Sequence, residues 1–397
     1  MKNSYSFRFT LTLVLLASAL TGFLTAMVLL NLNRTPENLT GAVKEYSALL
    51  ELIDEIYIGE FDMDDVSAAA MRAAVDSLGD RWSFYMTPQE FEDFLDRSKN
   101  RYAGIGVGVE ADEETGGIRV LFVYRDSAAE TAGIAAGDII IGVDGDDIYG
   151  ISINDLRVLL ARQIDDTVEL LIMKPDGLTQ QVTVVYSYVF VNPVSYEMLD
   201  GDIGYISLLN FDEGAADKFI SAAKELMEMG ARAFIFDMRA NNGGRVDEMT
   251  RILDFLLPEG EIFISVDKSG HENIILSDKN MVDLPAIVLV DSNSYSAAEY
   301  FAATLREYDY AEIVGEQTTG KSRMQITLRL PGGGALHISS SQYLTRNRVS
   351  LHDAGGLEPD HIVLLSEHES ALFFSGNLSK DDDPQLQKAL SLISFHN

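Results

Sequence analysis

The stretch VLVDSNSYSAAEYFAATL, residues 288–305, carries a change of periodicity in its middle. Its start continues PAIVLV, an unbroken apolar run of the kind a strand shows when both of its faces are buried. The run stops at Asp291, Ser292 and Asn293, whose short polar side chains bond nearby backbone N–H groups and so favour turns and helix caps. SAAEYFAATL then has helical propensity and spacing. Three serines crowd this strand-to-helix junction. Ser292 and Ser294 read as turn and cap residues. Ser296 falls in the first helical turn, beside N–H groups with no intrahelical acceptor, which can hold a developing oxyanion. It is the candidate nucleophile.

The same alternation surrounds the junction. GYISLLNF reads as a strand, GAADKFISAAKELMEMG as a helix, ARAFIFDMR as a buried strand and VDEMTRILDFLL as a helix. Strands alternating with helices predict an α/β core with largely parallel pairing. Upstream, residues 102–185 have a different texture, with short strands YAGIGVGVE, GIRVLFVY, TVELLIM and QQVTVVY bounded by glycines, and a helix SINDLRVLLAR. That pattern predicts a small, partly open barrel. Before it, AVKEYSALLELIDEIY and DVSAAAMRAAVDSL repeat apolar residues at three and four, the mark of a helical arm. GDRWSFYMTPQEF interrupts the arm, and Trp82, Phe84 and Tyr85 read as packing residues. The acidic SKDDDPQ near the C-terminus reads as a solvated turn before a last short helix.

Composition narrows the function. The 397 residues carry a formal charge of −32 and no cysteine. Binding phosphate backbones needs clustered Lys and Arg, so a nucleic-acid partner is not expected. Disulfides, thiolate metal sites and a Cys nucleophile are excluded. Residues 11–32 form an uncharged run of 22 residues behind Lys2 and Arg8. A helix of that length would span about 33 Å, enough for a bilayer core. An uncleaved single-pass anchor is expected, its basic flank inside and the rest of the chain outside the cytoplasm.

A nucleophilic serine needs a base. The histidines are His271, His337, His352, His361, His368 and His396, and none stands in a recognisable triad context. Lys321, in the Gly-Lys turn after IVGEQTTG, is the other candidate. To serve near neutrality its pKa must fall from about 10.4 toward 7, a differential cost of about 4 to 5 kcal/mol that burial among apolar groups can supply. A carboxylate in contact would act the other way.

At these residues two resemblances become specific. SAAETAGIAAGDIIIGVDG closely resembles the PDZ signature, and SYSAAEYFAATL, VGEQTTGKSRMQ, FDMRANNGG and GGLEPD together resemble the carboxy-terminal processing peptidases, PDZ-containing Ser/Lys endopeptidases of the S41 type. The fold this implies is an S41-type α/β protease core (crotonase/ClpP-like), with an inserted-looking PDZ module and an N-terminal helical arm after a membrane anchor. The domains expected are the anchor at 1–34, the arm at 35–100, the PDZ domain at 101–187, the protease core at 188–375 and a tail at 376–397. The resemblance implies Ser296 as nucleophile, Lys321 as general base and Gln325 as the residue that positions the lysine. It implies an oxyanion hole from Gly243, Gly244 and Ala297, and no metal or cofactor. In the PDZ module it implies a carboxylate cradle at Ala103, Gly104, Ile105 and Gly106, with Arg162 relaying peptide binding to the protease. The partners expected are proteins or peptides with free C-termini, the membrane and, through the arm, a second copy. Tyr295, Arg323 and the missing proline before Gly243 depart from the family pattern.

Two rivals follow from the same residues. One is a PDZ scaffold that binds protein C-termini and cuts nothing. The other keeps Ser296 but takes His352 and Asp353 as its partners.

Overall fold

The computed structural model describes residues 37–393, which fall in two units, one ending at Ala70 and one beginning at Met71. In the first, Glu37–Ile56 is a single helix and Met63–Asp76 begins a second. No helix among the described residues is long and apolar enough to cross a membrane, and the expected anchor at 11–32 lies outside them.

The second unit is built on three larger sheets and a two-stranded one. Its central six-stranded sheet runs Val194–Leu199, Ile203–Leu208, Ala233–Asp237, Ala286–Val290, Ala311–Gly315 and His361–Ile362 in spatial order. The first pair is antiparallel and all the others are parallel. Because side chains alternate across a strand, the two faces have separate cores. Phe234, Phe236 and Val288 pack with the helices Ala215–Glu228, Val246–Leu256 and Ala297–Glu307. Ile235, Ile287 and Leu289 pack instead with Leu386 and Ala389 of the helix Pro384–Leu392. The buried strands therefore lack polar alternation, as PAIVLV foretold. Burial of each large side chain here contributes roughly 1.5 to 3 kcal/mol, and Phe211, Phe219, Phe301 and Tyr300 complete the larger core.

The C-terminal segment departs from expectation. Asp383, in the supposedly solvated SKDDDPQ turn, is only 5% exposed and lies 2.8 Å from Arg239, which also grips Asp237. Gln385 is fully buried and accepts from the same guanidinium. The acidic run is drawn inward because Arg239, itself buried at the end of a central strand, needs anionic partners. What reads as a tail closes the second face of the sheet.

A second sheet orders Phe84–Met86, Ala335–Leu344, Gly260–Asp267 and Glu272–Ser277, with Arg323–Arg329 also pairing Ala335–Leu344. Phe84–Met86 lies inside the region expected to be a helical arm. These three residues are a strand because Phe84, Tyr85 and Met86 pair with His337, Leu336 and Ala335. The helix Pro88–Arg97 follows at once, started by Pro88 and a capping box between Thr87 and Glu90.

Residues 101–190 form the small barrel. Five strands, Val107–Ala111, Ile118–Val123, Ile139–Val143, Thr167–Met173 and Thr179–Val185, pair antiparallel in that order around Ile118, Ile140, Leu156, Leu170 and Ile172. The chain enters and leaves through two paired strands, Arg101–Gly104 and Ser187–Phe190, which gives the module the look of an insertion. Val107–Ala111 is an edge strand of its sheet.

Candidate active site

The serine side of the site is made of backbone. The turn after Ala286–Val290 is fixed by Ser294, which donates to the Met238 carbonyl at 2.7 Å, and by Asp291, whose Oδ1 accepts from the Ala240 and Asn293 N–H groups at 3.0 Å. Ser292 is exposed. Ser294 is thus a turn residue, but neither it nor Ser292 caps the helix: the N-cap is Ser296 itself. Ser296 then takes φ 62° and ψ −121°, a left-handed conformation that a side chain with a β-carbon resists. Its neighbours hold it there. The Tyr295 N–H donates to the Asn241 carbonyl at 3.1 Å and the Ser296 N–H to Glu299 Oε2 at 2.9 Å.

Directly over the serine lies the NNGG turn. A β-carbon at Gly243 would come within 2.7 Å of Ser296 Cβ and 2.9 Å of the Ala297 nitrogen, so only glycine allows this approach. Gly243 is thus brought against Ser296 and Ala297, and Gly244, next in the turn, backs onto Phe211. The Gly243 N–H, however, donates to Asn241 Oδ1 at 2.8 Å. Those of Gly244 and Ala297 have no acceptor among the described residues.

The lysine side is tied to the serine side through Glu299, a residue that sequence reasoning passed over. Its Oε2 accepts from both the Ser296 and the Lys321 N–H groups, at 2.9 and 2.8 Å. Its Oε1 accepts from the Gly320 N–H at 2.6 Å and from the Thr318 hydroxyl. Burial holds this carboxyl above the usual carboxylate range, against the opposing pull of its four donors. Ser296-Ala-Ala-Glu299 is a Ser-x-x-Glu capping pattern, and that signal could have found it. Tyr343 closes the other side: its hydroxyl donates to the Lys321 carbonyl and reaches the Ser296 side chain.

The Lys321 side chain is partly buried, and that burial pushes its ammonium down to about 8; Asp80 and Glu299 oppose the shift and Arg81 adds to it. No carboxylate among the described residues makes an ion pair with it. The ammonium has no hydrogen-bond partner among the described residues, neither Ser296 nor Gln325. It rests on the face of Trp82, 4.4 Å from the ring centroid. Trp82 is therefore more than the packing residue the sequence suggests.

Gln325 does not meet the lysine. Its amide donates to the Arg323 carbonyl at 2.9 Å and to Ser339 Oγ at 3.1 Å. The register shifts between Met324 and Gln325, and such a bulge re-aims a side chain, here toward its cross-strand neighbour Ser339. Arg323 stands 3.5 Å from Asp80. The histidine alternative fails on geometry: the His352 ring lies 3.3 Å from the Gly320 carbonyl, and it pairs with neither Ser296 nor Asp353, which is exposed. No cluster of three or more His, Asp or Glu side chains among the described residues is placed to hold a metal ion.

In the barrel module, Ala103 and Gly104 lie in the entry strand, and Ile105 and Gly106 make the turn out of it. The Ile105 carbonyl accepts from Ala129 N–H at 2.8 Å and the Gly106 carbonyl from Tyr124 N–H at 2.9 Å. Gly106 has φ 84° and backs onto Ser127, where a β-carbon would come within 2.4 Å of Ser127 Cβ. Arg162 is not in that turn; it pairs with Asp144, and its buried Nε has no partner. The next residue, Gln163, donates to Gln89 at 3.1 Å, joining the module to the helix that follows the Trp82 segment.

Comparison with known proteins agrees with this layout. The model of peptidase family S41 matches residues 202–363 and that of the PDZ domain matches residues 94–173. The carboxy-terminal processing protease CtpA of Bacillus subtilis is 27% identical over 351 residues, which cover 88% of this chain and 75% of the relative. The carboxyl-terminal-processing protease of Synechocystis sp. PCC 6803 is 26% identical over 331 residues, covering 82% of this chain and 76% of the relative. A solved S41 protease structure from Bacteroides fragilis shares the fold with a TM-score of 0.57 at 18% identity, over 85% of this chain and 92% of that one. The chain belongs to peptidase family S41 and is a serine protease of the carboxy-terminal processing type that carries a PDZ domain.

Proposed function

We propose that the protein is an endopeptidase in which Ser296 attacks the scissile carbonyl and Lys321, as a neutral amine, takes the hydroxyl proton. The Ser296 Oγ–carbon bond forms, the carbon–nitrogen bond breaks, and Lys321 hands its proton to the departing amine. Water then attacks the ester, losing its proton to the same lysine; the Ser296 Oγ–carbon bond breaks, the acid product leaves, and the lysine returns that proton to the Ser296 oxygen. The Ala297 and Gly244 N–H groups, without an acceptor among the described residues, suit the oxyanion; Gly243 joins them only if its bond to Asn241 opens. One observation carries the reading: a single oxygen of buried Glu299 accepts from the N–H groups of both Ser296 and Lys321, which fixes nucleophile and base on one frame.

The PDZ domain serves in this reading as the reader of polypeptide C-termini. Val107–Ala111 offers an open sheet edge to an added strand, and the turn at Ile105 and Gly106 has both carbonyls tied inward, leaving its N–H groups for a carboxylate. Residues 11–32 anchor the chain, with the protease outside the cytoplasm, on the strength of the uncharged run and its basic flank.

The test is cleavage of unfolded proteins that end in apolar residues. Ser296→Ala in the full chain is expected to lose at least about 10⁴-fold in rate while still binding such a peptide, and to bind the C-terminally amidated peptide more weakly. Cleavage by Ser296→Ala at the wild-type rate contradicts the nucleophile, and equal binding of acid and amide contradicts the reading of C-termini.

A further inference from the structure

If Lys321 is the base, its resting place needs an explanation, because its amine does not sit on Ser296. It lies between two rings, 4.4 Å from the Trp82 centroid and 5.7 Å from that of Tyr295, and the rings themselves are 5.4 Å apart. The Arg81 guanidinium also stacks on Trp82, at 4.3 Å. Trp82 is firmly held. Its backbone N–H donates to Asp80 Oδ1 at 3.2 Å, Ser83 donates to Asp80 Oδ2 at 2.7 Å, and the Ser339 N–H donates to Ser83 at 3.0 Å. The strand Phe84–Met86 then pins the segment to the sheet that carries the site.

An aromatic face attracts an ammonium through its quadrupole and offers a neutral amine almost nothing. A neutral amine, in contrast, gains most from a hydroxyl that can donate to it. We propose that Trp82, backed by Tyr295, is a positioning residue: a seat that holds Lys321 off Ser296 while the amine is protonated and lets it go to the serine hydroxyl once the proton has left. The proposal rests on Lys321 being the base. The other groups facing the amine are Asp80 and Arg81 from the Trp82 segment, Glu299 from the serine helix, and His337 from the strand Ala335–Leu344. Asp80 and Glu299 favour the ammonium and Arg81 opposes it, but none makes an ion pair or hydrogen bond with it. The oxygens of Glu299 are filled by N–H and hydroxyl donors, and Asp80 by Ser83 and the Trp82 N–H. The rings are the partner that remains.

Trp82 is the protein's single tryptophan, so its emission reports on this seat alone. In the full chain carrying Ser296→Ala, emission followed from about pH 6 to about 9.5 is expected to titrate with a midpoint near 8, as the ammonium leaves the ring. The titration is expected to vanish when Lys321→Met is added. In the active chain, Trp82→Leu keeps an apolar wall but removes the π face. It should move the acid limb of the kcat/KM profile about one pH unit lower, and Trp82→Phe should bring the limb back toward its original place. Emission that is flat, or that titrates equally in Lys321→Met, overturns the seat. So does a Trp82→Leu limb that stays put or moves up. If Trp82→Leu does not fold, the emission measurement, made on the native tryptophan, decides alone. Cleavage by Lys321→Met would end the base assignment instead, whatever the emission does.

Discussion

The serine and lysine halves of the site are built by different means. Ser296 is placed by main chain: a parallel strand end, a strained φ, a glycine turn lying against its β-carbon and a helix beginning one residue later. Lys321 has its main chain placed equally well, through Glu299, but its side chain is held by aromatic rings, chiefly that of Trp82, from a segment that precedes the PDZ domain in sequence, with Tyr295 behind it. Backbone placement gives a nucleophile that is always ready. Side-chain placement by an aromatic face makes the base depend on its own protonation state. The contrast implies that changes on the serine half cost activity at every pH, and that changes on the lysine half alter its pH dependence.

The largest effect that sharpens this contrast is expected from Gly243→Ala. The new methyl at φ 86° would meet Ser296 Cβ at 2.7 Å and, on the main chain, the Tyr295 carbonyl at 2.8 Å and the Ala297 nitrogen at 2.9 Å. Activity should fall about 10³-fold or more at all pH values, with a stability loss of roughly 2 to 3 kcal/mol in chemical denaturation. Activity near wild type would mean the turn is not part of the oxyanion site. Next comes Glu299→Gln, which sets an amide NH₂ against N–H donors. A fall in kcat of roughly 10² to 10³-fold is expected, with the unpaired donors costing about 1 to 3 kcal/mol of stability. Because Glu299 also raises the lysine's proton affinity, the acid limb of the residual activity should shift to lower pH. A loss of stability with kcat intact would leave Glu299 a structural cap only. The smallest effect is expected from Gln325→Ala, less than about 10-fold in kcat/KM, since its amide bonds Arg323 and Ser339 and not the lysine. A loss as large as that of Ser296→Ala would show that Gln325 turns to Lys321 during turnover.

These differences also explain what the sequence could reveal. The strand-to-helix junction around Ser296 and the glycines of the NNGG turn are local features, and local chemistry announces them: an apolar run, turn formers, a helical repeat, a position that excludes side chains. Residue order and spacing carried Lys321, through resemblance and not through any local signal. Trp82 was beyond reach because DRWSFYM is aromatic enough to pack anywhere, and its partners Tyr295 and Lys321 come from far along the chain. The strand Phe84–Met86 was hidden for the same reason, being a strand only by virtue of Ala335–Leu344. Asp383 misled in the opposite sense: an acidic run reads as solvated until a buried arginine claims one of its members.

The most direct test of the Ser/Lys account is Lys321→Met, followed in cleavage and in stability across pH. In the wild type, burial lowers the folded pKa from the ordinary lysine value of 10.5 to about 8. The unfolded chain therefore binds more protons than the folded one between these values, and the lysine's contribution makes wild-type stability rise with pH through that window. Below about 8 both states are protonated and the burial cost stands in full, roughly 2 to 3 kcal/mol after allowance for partial solvent contact. Lys321→Met is expected to lose cleavage at every pH and to gain stability of that order at neutral pH, with the gain shrinking above 8, while the wild-type rate climbs with pH toward a midpoint near 8. A Lys321→Met chain that still cleaves, or a wild-type rate that is flat through this range, would contradict the account.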